Sequence, residues 1–224
     1  MISTPADAVA WLTDLLLPAM RYRAGRLGGD ESGAFDFYRA RIAAGQVFLD
    51  YEVRLLKAII AQGLPIDEIH EIGCGWGQLV FLLAWNGFKA TGFEVDERRF
   101  AGALCLHQIL AQVDPSRTER ARIRNEFFPP LDRPDPARSA VIATNVVIGN
   151  PHLFEEEMIW GLRRYRFAII DVDRFCRQRR PEERPGLIAL VEESGLRNLG
   201  PFCEAGADGT FYLFTSADSD ENTA

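Results

Sequence analysis

The segment from Glu68 to Val95 constrains this chain most. Residues 68–72 (Glu-Ile-His-Glu-Ile) read as a short strand, followed at once by Gly73-Cys74-Gly75-Trp76-Gly77. An apolar run over 78–86 reads as a helix with Gly87 just beyond its end, and 89–95 reads as a second strand. A strand, a glycine turn, a helix and a strand in that order make a parallel crossover unit, which commits the chain to a sheet covered by helices. Gly73 and Gly75 let the backbone turn tightly and let a ligand approach it with no Cβ in the way.

The alternation continues downstream. A helix after Val95 carries the stripe Ala103, Leu106, Leu110, Val113. The third strand is predicted over 121–128, ended by Pro129-Pro130, and the fourth over 139–148, long and β-branched. A helix over 152–165 has the stripe Phe154, Met158, Leu162, with acids at its start and arginines at its end. The fifth strand is 167–172, the last helix 186–194, and 198–204 with 210–216 form a hairpin. The expected fold is α/β: a doubly wound, seven-stranded, mostly parallel sheet with one antiparallel strand and helices on both faces. Residues 1–65 read as an N-terminal helical extension acting as a lid, with one helix over 7–17 stopped by Pro18 and another over 37–62. The stripe of the second is Leu49, Val53, Leu56, Ile60. Residues 66–216 form the ligand-binding domain, and 217–224 an acidic, disordered tail.

Composition narrows the partners. The chain has 224 residues and a net charge of −7, and only Lys57 and Lys89 are lysines. Such a chain is a poor binder of nucleic-acid backbone. Cys74, Cys105, Cys176 and Cys203 lie far apart, with no CxxC pair and only three histidines, so neither a structural metal nor a disulfide framework is expected. Asp7 and Asp14 stand where a signal peptide would be basic and then apolar, and the run 79–85 is too short to span a bilayer. The expectation is a soluble, cytoplasmic protein.

The chemistry lies in the turn. Its pattern is G-x-G-x-G with Glu71 two residues ahead, whereas a dinucleotide fingerprint is G-x-G-x-x-G. An acid at the end of the first strand repels a pyrophosphate and suits a cationic group, such as the amino group of an amino acid. Glu94 ends the next strand, 21 residues after Gly73, where a carboxylate can accept hydrogen bonds from both hydroxyls of a ribose.

With these residues in place, Glu71 to Gly77 and Glu94 resemble the cofactor-binding core of class I S-adenosylmethionine-dependent methyltransferases. The likeness runs from about Glu68 to Thr215, about two thirds of the chain, and includes Val191-Glu192-Glu193-Ser194-Gly195-Leu196 before the hairpin. It implies that Glu71, Gly73 and Gly75 line the methionine end of S-adenosylmethionine, with Cys74, Trp76 and Gly77 completing the cofactor-binding turn, Cys74 as a small filler and Trp76 beside the methionine chain or the substrate. It implies that Glu94 holds the ribose and Val95 packs on the adenine. Glu126 would accept from the adenine amino group and Phe127 would cover the ring. Asn145, at the end of the fourth strand, would lie beside the methyl group.

Other residues admit two readings. Gly149-Asn150-Pro151-His152 partly resembles the Asn-Pro-Pro-aromatic motif of nitrogen methyltransferases, with His152 in place of the second proline. His152 is a candidate general base or a solvent-facing residue at a helix start. The stretch 163–184 holds eight arginines and four acids, a net charge of +4 in an acidic chain. Arg174 and Arg177 then bind an anionic substrate bidentately, or belong to a solvated loop. Tyr38 is a substrate-contacting candidate on the lid. The expected activity is methyl transfer to a small anionic molecule, without nucleic acid or membrane and with a homodimer left open. The alternatives are another transfer from the same cofactor, such as aminopropyl transfer, or a non-catalytic nucleoside-binding subunit; the glycine spacing disfavours a nicotinamide enzyme.

Overall fold

A computed structural model describes residues 4–26, 36–144, 159–172, 184–204 and 209–216. Strand β1 (Glu68–Ile72) lies at the middle of the sheet. It pairs in parallel with β2 (Lys89–Phe93) on one side and β4 (Ser139–Ala143) on the other. Strands β3 (Ala121–Arg124) and β5 (Phe167–Asp171) extend the two sides in parallel. Strand β7 (Thr210–Ser216) runs antiparallel between β5 and β6 (Leu196–Glu204). The order is β3-β2-β1-β4-β5-β7-β6, the seven-stranded sheet with one reversed strand that the alternation implies. The chain moves outward from β1 to β3, then returns to β4 on β1's other side. The carboxyl ends of β1 and β4 therefore flank a topological switch point, where open α/β sheets bind ligands.

Helices cover both faces. One core joins α1 (Pro5–Arg26), α3 (Asp50–Gln62), α4 (Gln78–Trp85) and α5 (Glu97–Val113) to the sheet through Leu12, Leu56, Phe81 and Leu106. Helix α4 is apolar on all sides and every residue in it is buried, as a helix enclosed by its neighbours requires. Trp85 at its end stacks on Trp11 of α1 at 5.7 Å. The second core, on the opposite face, gathers Val141, Ile170, Leu162 of α7 (Ile159–Leu162) and Val191 of α8 (Arg184–Glu193). His70 points to this second face. Its Nδ1 lies 2.6 Å from the Tyr165 hydroxyl and its Nε2 lies 2.9 Å from Glu68. A one-turn helix, α6 (Pro115–Thr118), follows α5 and is capped by Asp114.

Several boundaries differ from the sequence expectation. Helix α1 runs through Pro18 to Arg26 instead of stopping. Leu12, Leu16 and Met20 are fully buried on either side of the proline. Burial of each contributes about 1.5–3 kcal/mol, which offsets a helix-interior proline costing about 3 kcal/mol. The helix expected over 37–62 is two, α2 (Asp36–Ala43) and α3. Gly45 adopts a φ of 74°, which turns the chain. The Arg41 guanidinium bonds the Val47 carbonyl and pairs with Glu52 at 3.1 Å, while Glu52 accepts the Leu49 N–H at 2.6 Å and so caps α3. The new helix start changes the buried face of α3 to Tyr51, Leu55, Leu56 and Ile59, leaving Ile60 exposed.

Strand β3 stops at Arg124 rather than 128 because the Asn125 side-chain amide, 2.8 Å from the Glu94 carbonyl, takes the acceptor a longer strand would use. Strand β2 ends at Phe93, two residues early, where its carbonyl turns to the glycine turn. For the fourth strand, 139–143 is confirmed and 145–150 lies outside the described residues, as do 151–158 of the following helix. Among the described residues no helix is long and apolar enough to cross a membrane.

Gly92, inside β2, marks a close approach. A Cβ there would lie 2.5 Å from Cys74 Sγ and 2.6 Å from Cys74 Cβ. Gly92→Ala should therefore cost about 1–3 kcal/mol by overpacking. Urea unfolding should show this as a lower midpoint with an unchanged slope.

Candidate active site

The glycine turn hangs from the end of β2. The Phe93 carbonyl accepts the N–H groups of Gly73 and Cys74, at 2.8 and 3.1 Å. The Gly77 N–H closes the turn onto the Cys74 carbonyl at 2.8 Å. Gly73, Gly75 and Gly77 all have left-handed φ values, 66°, 59° and 77°, a conformation that side-chain-bearing residues rarely adopt. Gly77 then opens α4.

Glu94 is 3% exposed and points at this turn. Its Oε2 accepts the Gly75 N–H and its Oε1 accepts the Asp96 N–H, each at 2.9 Å. Both bonds go to a charged acceptor, and each oxygen keeps lone-pair capacity for a further donor. Val95, next in the chain, is 50% exposed. Asp96 accepts the Arg99 N–H at 2.8 Å and starts α5, so Glu94 is held between a rigid turn and a helix end.

Glu71, in β1 two residues before Gly73, is 5% exposed. Its Oε2 is buried with no hydrogen-bond partner among the described residues. Burial pushes its carboxyl well above the usual range, and the nearby Glu52 and Glu94 carboxylates push the same way, with Arg41 opposing. The Cys74 thiol is likewise pushed up, by burial first and then by Glu71 and Glu94. A buried thiol of this kind is packing, not a nucleophile.

Tyr38 of α2 roofs the turn. A Cβ on Gly75 would lie 2.2 Å from the Tyr38 hydroxyl, so only glycine leaves room there. Its ring stacks on Trp76 at 4.7 Å and 16°. Burial raises its hydroxyl pKa far above the ordinary value. The Trp76 side chain is fully buried beneath Tyr38 and against Gly102 of α5, where a Cβ would meet its indole nitrogen at 2.6 Å. The indole thus packs under the roof, and what Trp76 presents to the turn is its backbone. Two cavities, of about 400 and 570 Å³, are lined by Glu68, Lys89 and Arg122 and by Thr4, Asn86 and Arg117, among others. Neither touches the glycine turn: the first opens at the amino ends of β1 and β2, and the second beside the end of α4.

On the β3 side, Glu126 pairs with Arg124 at 2.7 Å, and Arg124 also binds Asp132 through two contacts of 2.6 and 2.8 Å. Phe127 is 77% exposed. Asn125, bonded to the Glu94 carbonyl, is the residue of this loop tied directly to the site. Sequence reading passed over Asn125, Arg41 and Glu52; the one local signal was the acid at 52, three residues after Leu49, in a capping position. Asn145, His152, Arg174 and Arg177 lie outside the described residues. Of the arginine-rich stretch, Arg164 bonds the Pro130 carbonyl at 2.5 Å and lies over the Trp160 ring at 4.4 Å. Arg166 bonds the Ala137 carbonyl at 3.1 Å. These two arginines brace loops.

No family model matches the chain, and no curated protein matches its sequence. Solved structures do. A TehB-like SAM-dependent methyltransferase from Corynebacterium glutamicum is 18% identical with a TM-score of 0.56, over 81% of this chain and 95% of that one. The magnesium protoporphyrin IX methyltransferase of Synechocystis, with bound SAM, is 17% identical with a TM-score of 0.59, over 94% and 97%. The glycopeptide N-methyltransferase MtfA, complexed with S-adenosyl-L-methionine, is 12% identical with a TM-score of 0.57, over 75% and 95%. The seven-stranded order and these likenesses agree: the chain has the Rossmann-like fold of class I S-adenosylmethionine-dependent methyltransferases.

Proposed function

We propose that this protein is a methyltransferase that binds S-adenosylmethionine at the glycine turn and methylates a small, anionic molecule. The observation that carries the reading is the pair of buried carboxylates flanking one turn: Glu94, fixed by the Gly75 N–H, and Glu71, with an unpartnered oxygen. A ligand with a cationic amino-acid end and a ribose fits that acceptor set. A dinucleotide, whose pyrophosphate would meet Glu71, does not.

When bound, S-adenosylmethionine supplies a methyl group activated by a sulfonium. Glu71 would receive the ligand's ammonium, Glu94 its ribose hydroxyls, and the exposed Val95 and Phe127 the faces of its adenine. Glu126, paired with Arg124, would reach the adenine amino group with its remaining capacity. Gly73, Gly75 and Gly77 permit the approach, and Tyr38, whose hydroxyl lies over Gly75, would have to move aside to admit the ligand. The contribution of such a site is orientation: holding acceptor and methyl within ~3 Å and in line supplies several kcal/mol of the barrier. Asn145 is assigned to the methyl side, His152 to deprotonation of a weakly nucleophilic acceptor, and Arg174 and Arg177 to the anionic group of the substrate. These four assignments rest on sequence position and on the basic character of 163–184. The position of Tyr38 supports residues 1–65 as a lid over the cofactor.

Calorimetric titration tests the reading. S-adenosylmethionine and S-adenosylhomocysteine should bind and NAD should not. Glu94→Ala removes the acceptor of the Gly75 N–H as well as the ribose partner, so affinity should fall by about 1.5–3 kcal/mol or more, at least tenfold. Unchanged affinity in that variant would overturn the assignment. Tyr38→Ala should remove an aromatic stack worth about 0.5–1.5 kcal/mol and uncover Trp76. The expected result is a lower melting temperature and a red-shifted tryptophan emission in the free protein.

A further inference from the structure

Three buried carboxylates act on one another around the start of the glycine turn, with Arg41 as the opposing charge. Glu71 lies in β1, Glu94 follows β2, and Glu52 sits in the first turn of α3; all three are buried. Two have their partners. Glu52 accepts from Leu49 and Arg41, and Glu94 accepts from the Gly75 and Asp96 N–H groups. Glu71 retains an oxygen that nothing among the described residues contacts by a hydrogen bond.

The charged and titratable groups that bear on Glu71 are Glu52 from α3, Glu94 from the end of β2, Arg41 from α2 and Cys74 from the turn. Arg41 is engaged by Glu52 and by the Val47 carbonyl, and the Cys74 thiol is held in its neutral form. A carboxylate placed so is disfavoured twice, by loss of solvent and by like charges, until a cation comes against it.

We propose that Glu71 is a proton-exchanging receptor for a ligand ammonium: it holds a proton while the turn is free and releases it to solvent when the ammonium docks on its unpaired oxygen. The O–H bond of the carboxyl breaks and its proton passes to bulk water. The carboxylate then takes a charge-assisted hydrogen bond from the intact ammonium. This inference rests on the cofactor reading above and makes the amino-acid end of the ligand the part that selects it. Because binding releases a proton, affinity rises with pH, up to about tenfold per pH unit while the free Glu71 stays protonated.

The test is calorimetry at about pH 6.5, below the range in which an α-amino group titrates, in two buffers of different ionisation enthalpy. S-adenosylmethionine and S-adenosylhomocysteine, which both carry the ammonium, should release a proton. 5′-Methylthioadenosine, which lacks it, should bind without release. Glu71→Gln should bind S-adenosylmethionine more weakly and with no buffer-dependent heat. A second readout needs no ligand. A raised folded-state pKa gives stability that is lost as pH climbs through it. The free Glu71→Gln protein should therefore melt at or above the parent's temperature at neutral pH, the gap widening as the pH rises above the ordinary carboxyl range. Binding of S-adenosylmethionine with no proton release, or with the same release in Glu71→Gln, overturns the proposal and leaves the cofactor reading standing. Binding of neither sulfonium nor thioether ligand removes the cofactor reading and this proposal with it.

Discussion

The bond from the Gly75 N–H to the Glu94 carboxylate is the constraint on which the site depends. It joins the loop after β1 to the residue after β2, so two neighbouring strands share one rigid edge. The Phe93 carbonyl, accepting from Gly73 and Cys74, makes the same link from the backbone. Fixing a loop of left-handed glycines costs more conformational entropy than fixing other residues. Buried hydrogen bonds, one to an ionised acceptor, offset that cost. The turn is thus preorganised before any ligand arrives. Gly92 in β2 completes the fit by leaving room for Cys74.

Charge is the second theme. Burying carboxylates is costly, and this site buries three, Glu52, Glu71 and Glu94, around one engaged arginine; Glu71 is the one of the three with a buried oxygen that lacks a hydrogen-bond partner among the described residues. The Arg41–Glu52 pair also joins α2 to α3 across the bend between them. Helix α2 then carries Tyr38 to its position over Gly75. One ion pair therefore serves the fold, the roof and the electrostatics of the turn. The opposite face of β1 is built differently, with His70 satisfied by Glu68 and Tyr165.

The acidic average of the chain conceals this division. The buried acidic group lies at the carboxyl ends of β1 and β2, whereas Arg164 and Arg166 precede β5, at its amino end. Arg164 and Arg166 brace the loops around Pro130 and Ala137, which separates them from any substrate role given to Arg174 and Arg177.

The sequence by itself determined the βαβ start, the strand count, the sheet class and the position of Glu71 and Glu94 about the glycines. Those features are local: alternation, apolar runs and glycine spacing act within one or two elements. Tertiary structure decided the rest. Whether Pro18 ends a helix depended on what Leu16 and Met20 could bury. Where 37–62 breaks depended on Arg41 reaching Glu52 across the bend. That β3 ends at Arg124 depended on Asn125 bonding a carbonyl 31 residues earlier. Trp76 and Tyr38 look alike as aromatic candidates in the sequence, yet one is packing and the other a roof, because only the meeting of α2, α5 and the turn assigns their faces. Long-range contacts carry no local periodicity, so such assignments become legible only once the chain is folded.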